Sequence, residues 1–361
     1  MQPTRRNFTK PTTVTMKRQT FIVTTSCLVA MVSLFGCKSE LQITRGATTE
    51  TPAPTTLAAA SSVSLDNWMA AIPNNYRLTQ LSLPGTHNAC ARYEPLRGTA
   101  KCQRLTVDEQ LNAGIRFLDI RCRHIDNTFS IYHGAIYQKQ DLDAVLAACS
   151  TFLDKHPSEC IIVSIKEEYH PANNTRSFEA TFGDYAQRYA GKWYLGTTVP
   201  PLEQVRGKIV LLRRFEARRP IGIDASGWSR NSTFTINNGD TPLRVQDEFV
   251  VPSNRAKWHT STALLTEARS QADEASLYIN FTSGYRPRPA LFHIPNIKKV
   301  AYAMGNRITR FFSDNPQGRF GIIVMDFVDE QKAALVITTN FHPASPAQKE
   351  TKSTFVLNQA K

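Results

Sequence analysis

Reactive side chains recur where the apolar runs of this sequence end. Two of them are histidines: His87 follows the run "LSLPGT", and His133 follows "FSIY". A histidine pair can supply one general base and one general acid, because imidazole ordinarily titrates at about pH 6.5. Proton transfer near neutral pH is therefore the first chemistry that these residues predict.

The run "FLDIRCRH", residues 117–124, carries charge on one side of a predicted strand. With a period of two, the acid Asp119 and the cation Arg121 share one face with Phe117. A structural strand ordinarily keeps fixed charge out of a buried face. The pattern therefore predicts that an anionic group lies near Arg121.

Other apolar runs end on a cation or a carboxylate. The cations are Lys166 after "IIVSI" and Arg214 after "IVLLR", and the carboxylates are Asp247 and Asp326. Arginine binds phosphate through two parallel hydrogen bonds, and a carboxylate holds an imidazole in one tautomer. With two histidines, these groups suit cleavage of a phosphodiester by a neighbouring hydroxyl, each effect lowering the barrier by about 3–5 kcal/mol.

Strand patterns alternate with helical ones along the chain, which predicts an α/β fold with a parallel sheet. "TVDEQLNAG" has the cap and stop of a helix, and "KQDLDAVLAACSTFLDKHP" is a second helical run that closes before Pro157. Functional groups at the ends of many strands favour an irregular β/α barrel of the TIM type. A doubly wound open sheet is the rival, but it usually brings a Gly-rich loop, and no G-x-G-x-x-G occurs. Residues 215–245 are interpreted as a long loop or a degraded helical segment.

The first 64 residues read as a leader and a tether. A basic stretch at 16–20 precedes an apolar run at 21–36, which predicts a signal peptide over residues 1–37, with translation starting at Met1 or Met16. "LFGC" resembles a bacterial lipobox and makes Cys37 a lipidation candidate, with ordinary secretion as the alternative. The Thr-, Ala- and Pro-rich stretch 38–64 is predicted to be a disordered tether, and 65–361 a single catalytic domain.

The charge and the cysteine content indicate which partners and which redox environment suit the protein. The chain carries 43 Lys and Arg against 30 Asp and Glu, and such a surface favours anionic partners. Because an exported protein permits disulfides, we pair Cys90 with Cys102 first and Cys149 with Cys160 second, which leaves Cys122 over. None of these spacings is typical of a zinc site.

Taken in order, the motifs resemble a known family. "LPGTHNA", "FLDIRCR", "YHG", "SIKEEY", "LLRRF" and "VQDEF" resemble those of the bacterial phosphatidylinositol-specific phospholipases C, and the likeness runs from residue 81 to 326. The resemblance implies an irregular β/α barrel that needs no cofactor. It also implies cleavage of phosphatidylinositol to diacylglycerol and inositol 1,2-cyclic phosphate, and many members also release glycosyl-phosphatidylinositol-anchored proteins.

The resemblance also implies a role for each site residue. His87 is the implied general base with Asp326 as its carboxylate partner, and His133 is the implied general acid. Arg121 is implied to bind the phosphate, with Asp119 supporting this group. Three further side chains are implied to bind inositol hydroxyls: Lys166, Arg214 and Asp247.

Two positions depart from the family pattern. Bacterial members usually have Asp directly after the first histidine, and this chain has Asn88. An amide cannot stabilise a charged imidazole as a carboxylate does, so the general acid is expected to be weaker or to depend on Asp119. The aromatic that stacks on inositol is usually Tyr, and the matching position here is Phe249.

The pair His87–Asn88 resembles the corresponding pair in the calcium-dependent eukaryotic relatives, which hold calcium with Asn and three acids. Two of those acid positions are occupied here by Arg121 and Lys166, and fixed cations would repel a divalent ion. We therefore predict no metal and no calcium requirement.

The predicted partner is a membrane surface that contains phosphatidylinositol, with glycosyl-phosphatidylinositol-anchored proteins as a further class and no nucleic acid. "SGYRPRPALFHIP", with Tyr285, Leu291 and Phe292 beside Arg286 and Arg288, suits either a loop in the lipid interface or one packed on the barrel. Two other functions stay open: a glycerophosphodiester phosphodiesterase, and a catalytically weak surface lipoprotein that binds inositol lipids. The oligomeric state is left open.

Overall fold

The computed structural model describes residues 63–239, 241–270, 275–287 and 295–341. The predicted signal peptide, Cys37 and nearly all of the predicted tether lie outside these residues. So do Arg288, Leu291 and Phe292 of the predicted interfacial loop. Among the described helices, none has the length and apolar character that a membrane span requires.

Within the described residues, the main sheet has twelve strands, and eight of them run parallel in the order β6-β7-β5-β2-β1-β14-β11-β10. Their bounds are β1 Leu83–Thr86, β2 Phe117–Ile125, β5 Ile161–Glu167, β6 Trp193–Tyr194, β7 Ile209–Arg214, β10 Leu243–Gln246, β11 Leu277–Phe281 and β14 Ile322–Met325. Parallel strands buried on both faces are continuous apolar runs, as β5, β7 and β14 show. The predicted α/β barrel of the TIM type is confirmed.

The barrel is irregular because its sheet stays open. β8 (Ile223–Asp224) pairs with β7 at one edge, and β9 (Thr233–Ile236) pairs antiparallel with β10 at the other. Within the described residues no ladder joins these two edges. The interpretation of residues 215–245 as a degraded helical segment is wrong, because this stretch carries the short strands β8 and β9.

Strand β2 runs past the barrel mouth and turns back as a hairpin. The strand predicted over residues 117–124 is confirmed, and it continues to Ile125 and pairs antiparallel with β3 (Thr128–His133). The two turn residues, Asp126 and Asn127, have φ angles of 51° and 58°, as a tight type I′ connection requires. β3 therefore carries His133 back toward the mouth, and β4 (Ile136–Asp141) continues the meander.

Within the described residues, seven α-helices accompany the sheet. They are α1 Val107–Asn112, α2 Leu142–Lys155, α3 Phe178–Arg188, α4 Leu202–Val205, α5 Asn254–Ser270, α6 Ile297–Asp314 and α7 Glu330–Thr338. Both helices predicted from the sequence are confirmed. Thr106 and Glu109 form the capping box of α1, and α2 ends at Lys155, two residues before Pro157. A two-stranded ribbon, β12 Arg286–Pro287 with β13 Pro295–Asn296, precedes α6.

A buried ion pair is located near the start of β2. The Nε of Arg116 donates to Glu159 Oε2 at 2.8 Å, and both side chains are fully buried. The guanidinium also donates to the carbonyl oxygens of Leu111 and Ile115 and lies 4.6 Å from the ring centroid of Phe152. These contacts satisfy the buried charge and tie the loop before β2 to the loop before β5.

All five cysteines of the described residues are buried free thiols, so the predicted Cys90–Cys102 and Cys149–Cys160 disulfides are wrong. Cys102 does lie near Cys90 in the backbone, since its N–H bonds to the Ala91 carbonyl at 2.8 Å. The two thiols, however, belong to different apolar clusters. The Cys102 thiol lies instead beside His133, with Sγ 3.8 Å from Nδ1.

Candidate active site

His87 follows β1 directly, at the carboxyl end of the parallel sheet. The preceding Gly85 pairs with Phe117 of β2, and a Cβ at this position would lie 3.0 Å from the Phe117 Cβ. Only glycine permits this approach without displacement of the neighbour. The "PGTH" motif thus places the histidine where β1 meets β2 at the mouth.

The His87 ring is held between a carboxylate and an amide. Its Nδ1 lies 2.8 Å from Oδ1 of Asp326, whose side chain is 1% exposed. Because a carboxylate accepts, Nδ1 carries the proton and Nε2 keeps its lone pair. The amide nitrogen of Asn88 donates to that lone pair at 2.9 Å, so a substrate hydroxyl must displace Asn88 to reach Nε2.

His133 faces His87 across the mouth, with ring centroids 6.3 Å apart. Its Nδ1 donates to the Ala100 carbonyl oxygen at 2.7 Å, which leaves Nε2 as the second titrating atom. Burial, together with the positive charge of Arg121, lowers the pKa of His133 to about 4. The His133 imidazole is therefore neutral at pH 7 as long as no anion is bound beside it.

Asp119 lies fully buried beneath the two arginines that reach the mouth. Oδ2 accepts from Arg121 Nε at 3.1 Å and from the backbone N–H of Asn88 at 3.1 Å, while Oδ1 lies 3.4 Å from Arg214 Nη1. Burial opposes its ionisation, but Arg121 and Arg214 hold the pKa of Asp119 well below its usual range. Asp119 therefore positions Arg121 by a permanent charge and a direct hydrogen bond.

Glu168 completes this network, and the sequence analysis missed it. Oε2 accepts from Lys166 Nζ at 2.9 Å and lies 3.7 Å from Arg121 Nη1, while Oε1 accepts from the Gly134 N–H at 2.9 Å. The "SIKEEY" motif contains Glu168, but β5 ends at Glu167, and alternation alone does not show that the next side chain turns inward. Glu168 links Arg121 to the turn after His133.

Trp228 is a second residue that the sequence analysis missed. Its ring centroid lies 3.7 Å from Arg214 Cζ, and its Nε1 donates to Asp247 Oδ2 at 2.9 Å. The residue lies in the loop between β8 and β9, where no periodicity points to the mouth. Trp228 thus joins two predicted inositol-binding residues, Arg214 and Asp247, into one wall.

The predicted site residues form a nearly continuous ring of contacts. The ring closes through Phe281, whose centroid lies 6.0 Å from His87 and 5.8 Å from Trp228. Phe249 is the exception, because its ring lies beside Tyr285, with centroids 6.3 Å apart, and beside Arg230. The structure therefore brings together nine of the ten predicted catalytic and substrate-binding residues, all except Phe249. The nine are His87, Asn88, Asp119, Arg121, His133, Lys166, Arg214, Asp247 and Asp326.

Buried polar side chains fix the strand ends that carry this ring. The Gln103 amide donates to the carbonyl oxygens of His87 and Met325, at 2.9 and 2.8 Å. On the other side, Lys257 of α5 donates from Nζ to Gln246 Oε1 and to the Glu248 carbonyl oxygen, on either side of Asp247. Burial lowers the pKa of Lys257 to about 8. These clamps keep the loops after β1, β10 and β14 in place.

The arrangement can bind an anion and move two protons. Arg121 and Lys166 present positive charge at the mouth, and the His87 imidazole stands on one side of that charge with Nε2 directed away from Asp326. A second imidazole stands opposite, in reach of the same anion. Base, cation and acid are thus the three groups that intramolecular phosphodiester cleavage requires.

Comparisons with known proteins agree with this geometry. A family model described as "Phosphatidylinositol-specific phospholipase C, X domain" matches residues 81–215. The chain is 30% identical over 282 residues to a 1-phosphatidylinositol phosphodiesterase of Staphylococcus aureus, covering 74% of this chain and 89% of the relative. It is also 30% identical over 295 residues to a 1-phosphatidylinositol phosphodiesterase of Listeria monocytogenes, covering 78% of this chain and 86% of that relative.

Solved structures show the same fold. A pentafluoro-Phe variant of the Staphylococcus aureus phosphatidylinositol-specific phospholipase C superimposes with a TM-score of 0.70 at 28% identity, over 77% of this chain and 98% of that chain. The enzyme from Listeria monocytogenes superimposes with a TM-score of 0.63 at 27% identity, over 78% and 100%. This chain therefore belongs to the family of bacterial phosphatidylinositol-specific phospholipases C.

Proposed function

We propose that this protein is a phosphatidylinositol-specific phospholipase C, which cleaves phosphatidylinositol to diacylglycerol and inositol 1,2-cyclic phosphate. The observation that carries the proposal is the placement of Arg121 at one mouth with His87, held by Asp326, and the opposing His133. The names of the relatives from Staphylococcus aureus and Listeria monocytogenes support the same substrate.

Each step of the reaction has a residue in place. His87 Nε2 takes the proton of the inositol 2-hydroxyl, and Asp326 stabilises the imidazolium that forms, through the bond to Nδ1–H. The hydroxyl oxygen attacks phosphorus, and Arg121 stabilises the charge on the phosphoryl oxygens. His133 donates a proton to the departing diacylglycerol oxygen, so a P–O bond forms and another breaks with no net change in protons.

Substrate binding prepares His133 for its role. The free imidazole is neutral because burial and Arg121 disfavour its proton. A phosphodiester that pairs with Arg121 cancels that positive charge and raises the pKa of His133. His133 thus becomes protonated, and able to act as the general acid, when the anionic substrate is bound.

The inositol ring is assigned to the wall formed by Arg214, Trp228 and Asp247, with Lys166 beside Arg214 as its register partner on β5. Charged and aromatic groups at this wall suit a polyol that offers hydroxyls at its edge and C–H groups on its face. Asn88 and Phe249 are assigned to substrate contact as well, Asn88 beside the attacking hydroxyl and Phe249 from its place beside Tyr285.

The reaction is proposed to proceed without a divalent cation. Arg121 and Lys166 occupy the phosphate side of the mouth, and a calcium ion placed among them would meet two fixed positive charges. Activity in excess chelator, unchanged by added calcium, is the expected result. Loss of activity that calcium restores would contradict it.

The domain layout and location are further parts of the proposal: a signal peptide over 1–37, lipidation at Cys37, a tether over 38–64 and a catalytic domain over 65–361. Export brings the enzyme to membrane surfaces that contain phosphatidylinositol, and glycosyl-phosphatidylinositol anchors offer the same headgroup linkage. A solved structure from the Staphylococcus aureus enzyme concerns the modulation of its membrane binding, at 27% identity. Mass spectrometry of the exported protein would show whether Cys37 carries lipid.

Phosphorus NMR of the reaction with phosphatidylinositol in excess chelator tests the proposed function. A cyclic inositol phosphate signal is expected, and His87→Ala and His133→Ala should both abolish it. His156→Ala, a histidine variant at the end of α2, is the matched control and should keep it. Absence of the signal with the unaltered chain, with and without calcium, would refute the proposal.

One observation favours a second function, a catalytically weak protein that binds inositol lipids. The Asn88 amide donates to His87 Nε2 and so competes with the substrate hydroxyl for the lone pair. Binding of phosphatidylinositol vesicles without any turnover would support this reading over the first.

A further inference from the structure

Three side chains with different potential metal-ligand atoms lie close together at the mouth, and one of them is the proposed general base. A nitrogen of His87, the Cys102 Sγ and a carboxylate oxygen of Asp326 all lie within 4.8 Å of one another. We propose that these three residues bind a thiophilic divalent cation such as Zn²⁺, and that the bound cation inhibits the enzyme. The inhibitory part of this inference rests on the proposed function, whereas the binding part does not.

The ligand set suits zinc. Zinc prefers imidazole, thiolate and carboxylate in tetrahedral geometry, in which neighbouring ligand atoms lie about 3.5 Å apart, so side-chain adjustments of about 1 Å complete the site. A water can supply the fourth ligand. Calcium requires six to eight oxygens, and this set offers a single carboxylate.

An unpartnered atom supports the assignment independently. Asp326 uses Oδ1 for His87 Nδ1, while Oδ2 is buried and has no hydrogen-bond partner. A buried carboxylate oxygen without a partner is unfavourable, because it has left water without compensation. A cation held between this carboxylate and the Cys102 thiol would give Asp326 Oδ2 the partner that it lacks.

The three ligands come from segments that hydrogen bonds already tie together. Phe327, next to Asp326, donates its N–H to the Cys102 carbonyl at 2.7 Å, and Phe327 itself has φ of 48°, a conformation held by its surroundings. The Gln103 side chain bridges the carbonyls of His87 and Met325. The site therefore needs no rearrangement of the backbone to assemble.

The charge balance favours a divalent cation at this point. A dication with one thiolate and one carboxylate forms a neutral complex. Repulsion by the nearby Arg121 is then small, in contrast to that of a calcium ion placed between Arg121 and Lys166.

Metal binding at His87 Nδ1 would remove the catalytic lone pair. The proton on Nδ1 moves to Nε2, and the Cys102 thiol releases its proton to solvent, so one proton leaves the protein per metal bound. Nε2–H can then donate but cannot accept the proton of the inositol hydroxyl. The protein would thus lose its general base while its fold stays intact.

Calorimetric titration of the full chain with zinc tests binding directly. One zinc and the release of one proton are expected, the proton number coming from buffers with different ionisation enthalpies. Cys102→Ser and Cys102→Ala should each weaken zinc binding by at least about tenfold, because the thiolate ligand is lost. Cys160→Ser is the matched control, since that thiol is equally buried but contacts the Met69 sulfur instead. Equal affinity in all four proteins would overturn the site.

Cobalt provides a readout that does not depend on activity or affinity. Bound to the unaltered chain, Co²⁺ should show thiolate-to-cobalt charge-transfer absorption, and both Cys102 variants should lack it. Thermal melting of each variant identifies any that fails to fold. Charge-transfer absorption that persists in a folded Cys102→Ala protein would overturn the assignment of Cys102 as a ligand.

Inhibition is measured as the ratio of phosphatidylinositol cleavage with and without zinc, taken within each variant. The unaltered chain and Cys160→Ser should lose activity with zinc and regain it with chelator, whereas Cys102→Ser should need at least about tenfold more zinc. Calcium and magnesium at the same concentration should not inhibit. If calorimetry shows that zinc binds but zinc does not slow cleavage, the inhibitory role is overturned. If the unaltered chain shows no cleavage at all, the proposed function is refuted, and calorimetry still decides whether the metal site exists.

Discussion

Asp326 and His87, which are 239 positions apart in the sequence, form a 2.8 Å hydrogen bond between Oδ1 and Nδ1 at the mouth of the barrel. The bond depends on strands β1 and β14 being parallel neighbours, paired from Leu83 with Ile322 to Thr86 with Met325. Each residue directly follows its strand, so the pairing register alone sets them side by side. The carboxylate therefore determines which imidazole nitrogen carries the proton.

Asp326→Asn should lower kcat for phosphatidylinositol cleavage by about 10²–10⁴-fold, because an amide no longer selects the productive tautomer or stabilises the imidazolium. Steady-state kinetics measures the change. Asp329→Asn is a matched control outside the mouth, where Asn can still cap α7, and it should leave kcat near the original value. An Asp326→Asn enzyme of full activity would remove Asp326 from the mechanism.

Arg121→Gln should raise the pKa of His133 from about 4 toward the ordinary value of about 6.5, because the guanidinium no longer repels the imidazolium. The sign follows from the removal of a positive charge, which favours the protonated form at higher pH. An NMR titration of the His133 ring against pH measures the shift. Arg123→Gln, two residues along the same strand, should leave this pKa unchanged, since Arg123 stacks on Tyr132 and Tyr169 instead. An unchanged pKa in Arg121→Gln would show that Arg121 does not control the acid.

Trp228→Phe should raise KM by about 5–20-fold while kcat changes less, because the lost N–H···Asp247 bond loosens the inositol wall and spares the reacting groups. A phenyl ring keeps part of the stacking on Arg214. Trp258→Phe makes the same exchange on α5, where the ring packs against Phe311, and it should leave KM unaltered. A large fall in kcat with KM unchanged would contradict the assigned role.

Glu159→Ala should lower the free energy of unfolding by about 3–5 kcal/mol, since it leaves the fully buried Arg116 guanidinium without its counter-charge. Urea unfolding followed by fluorescence measures the loss. Glu267→Ala breaks the half-exposed pair with Arg244 and should cost about 0–1 kcal/mol. Similar losses for both variants would show that burial of the Arg116–Glu159 pair does not matter to stability.

Much of the active site is visible in the sequence because of how parallel strands are made. Each strand is an apolar run, and the first polar residue after it lies at the carboxyl edge of the sheet. This regularity identifies His87, Arg214 and Asp326, each of which lies within one residue of its strand end. It also identifies α1, through the Thr106–Glu109 capping box.

The same regularity failed where the chain leaves the parallel sheet. β2 extends to Ile125 because the hairpin with β3 supplies hydrogen bonds beyond the barrel edge, and alternation does not show where the parallel pairing with β5 gives way to the hairpin. Trp228 lies in an aperiodic loop, and Glu168 is the third of three consecutive charged residues, so the end of the apolar run indicates Lys166 instead. No local pattern assigns such residues to the mouth.

The disulfide predictions show the limit of short spacing in the same way. Cys90 and Cys102 are twelve positions apart, and their backbones are joined through Ala91, yet their thiols belong to separate clusters. Spacing measures the distance along the chain, whereas a disulfide depends on the directions of the two side chains. The tertiary fold points the Cys102 thiol at His133.

By itself, the sequence determined the α/β class, the parallel strands and the chemical identity of the groups at their ends, because burial and hydrogen bonding along a strand act over a few residues. Only the tertiary structure decided which of those ends are neighbours. It placed Asp326 on His87, Asn88 on the lone pair of that ring, and His133 opposite, because strand order and hairpin return depend on contacts between residues far apart in the chain. The protonation states at the mouth follow from that placement, since burial and nearby charges control pKa only once the chain has folded.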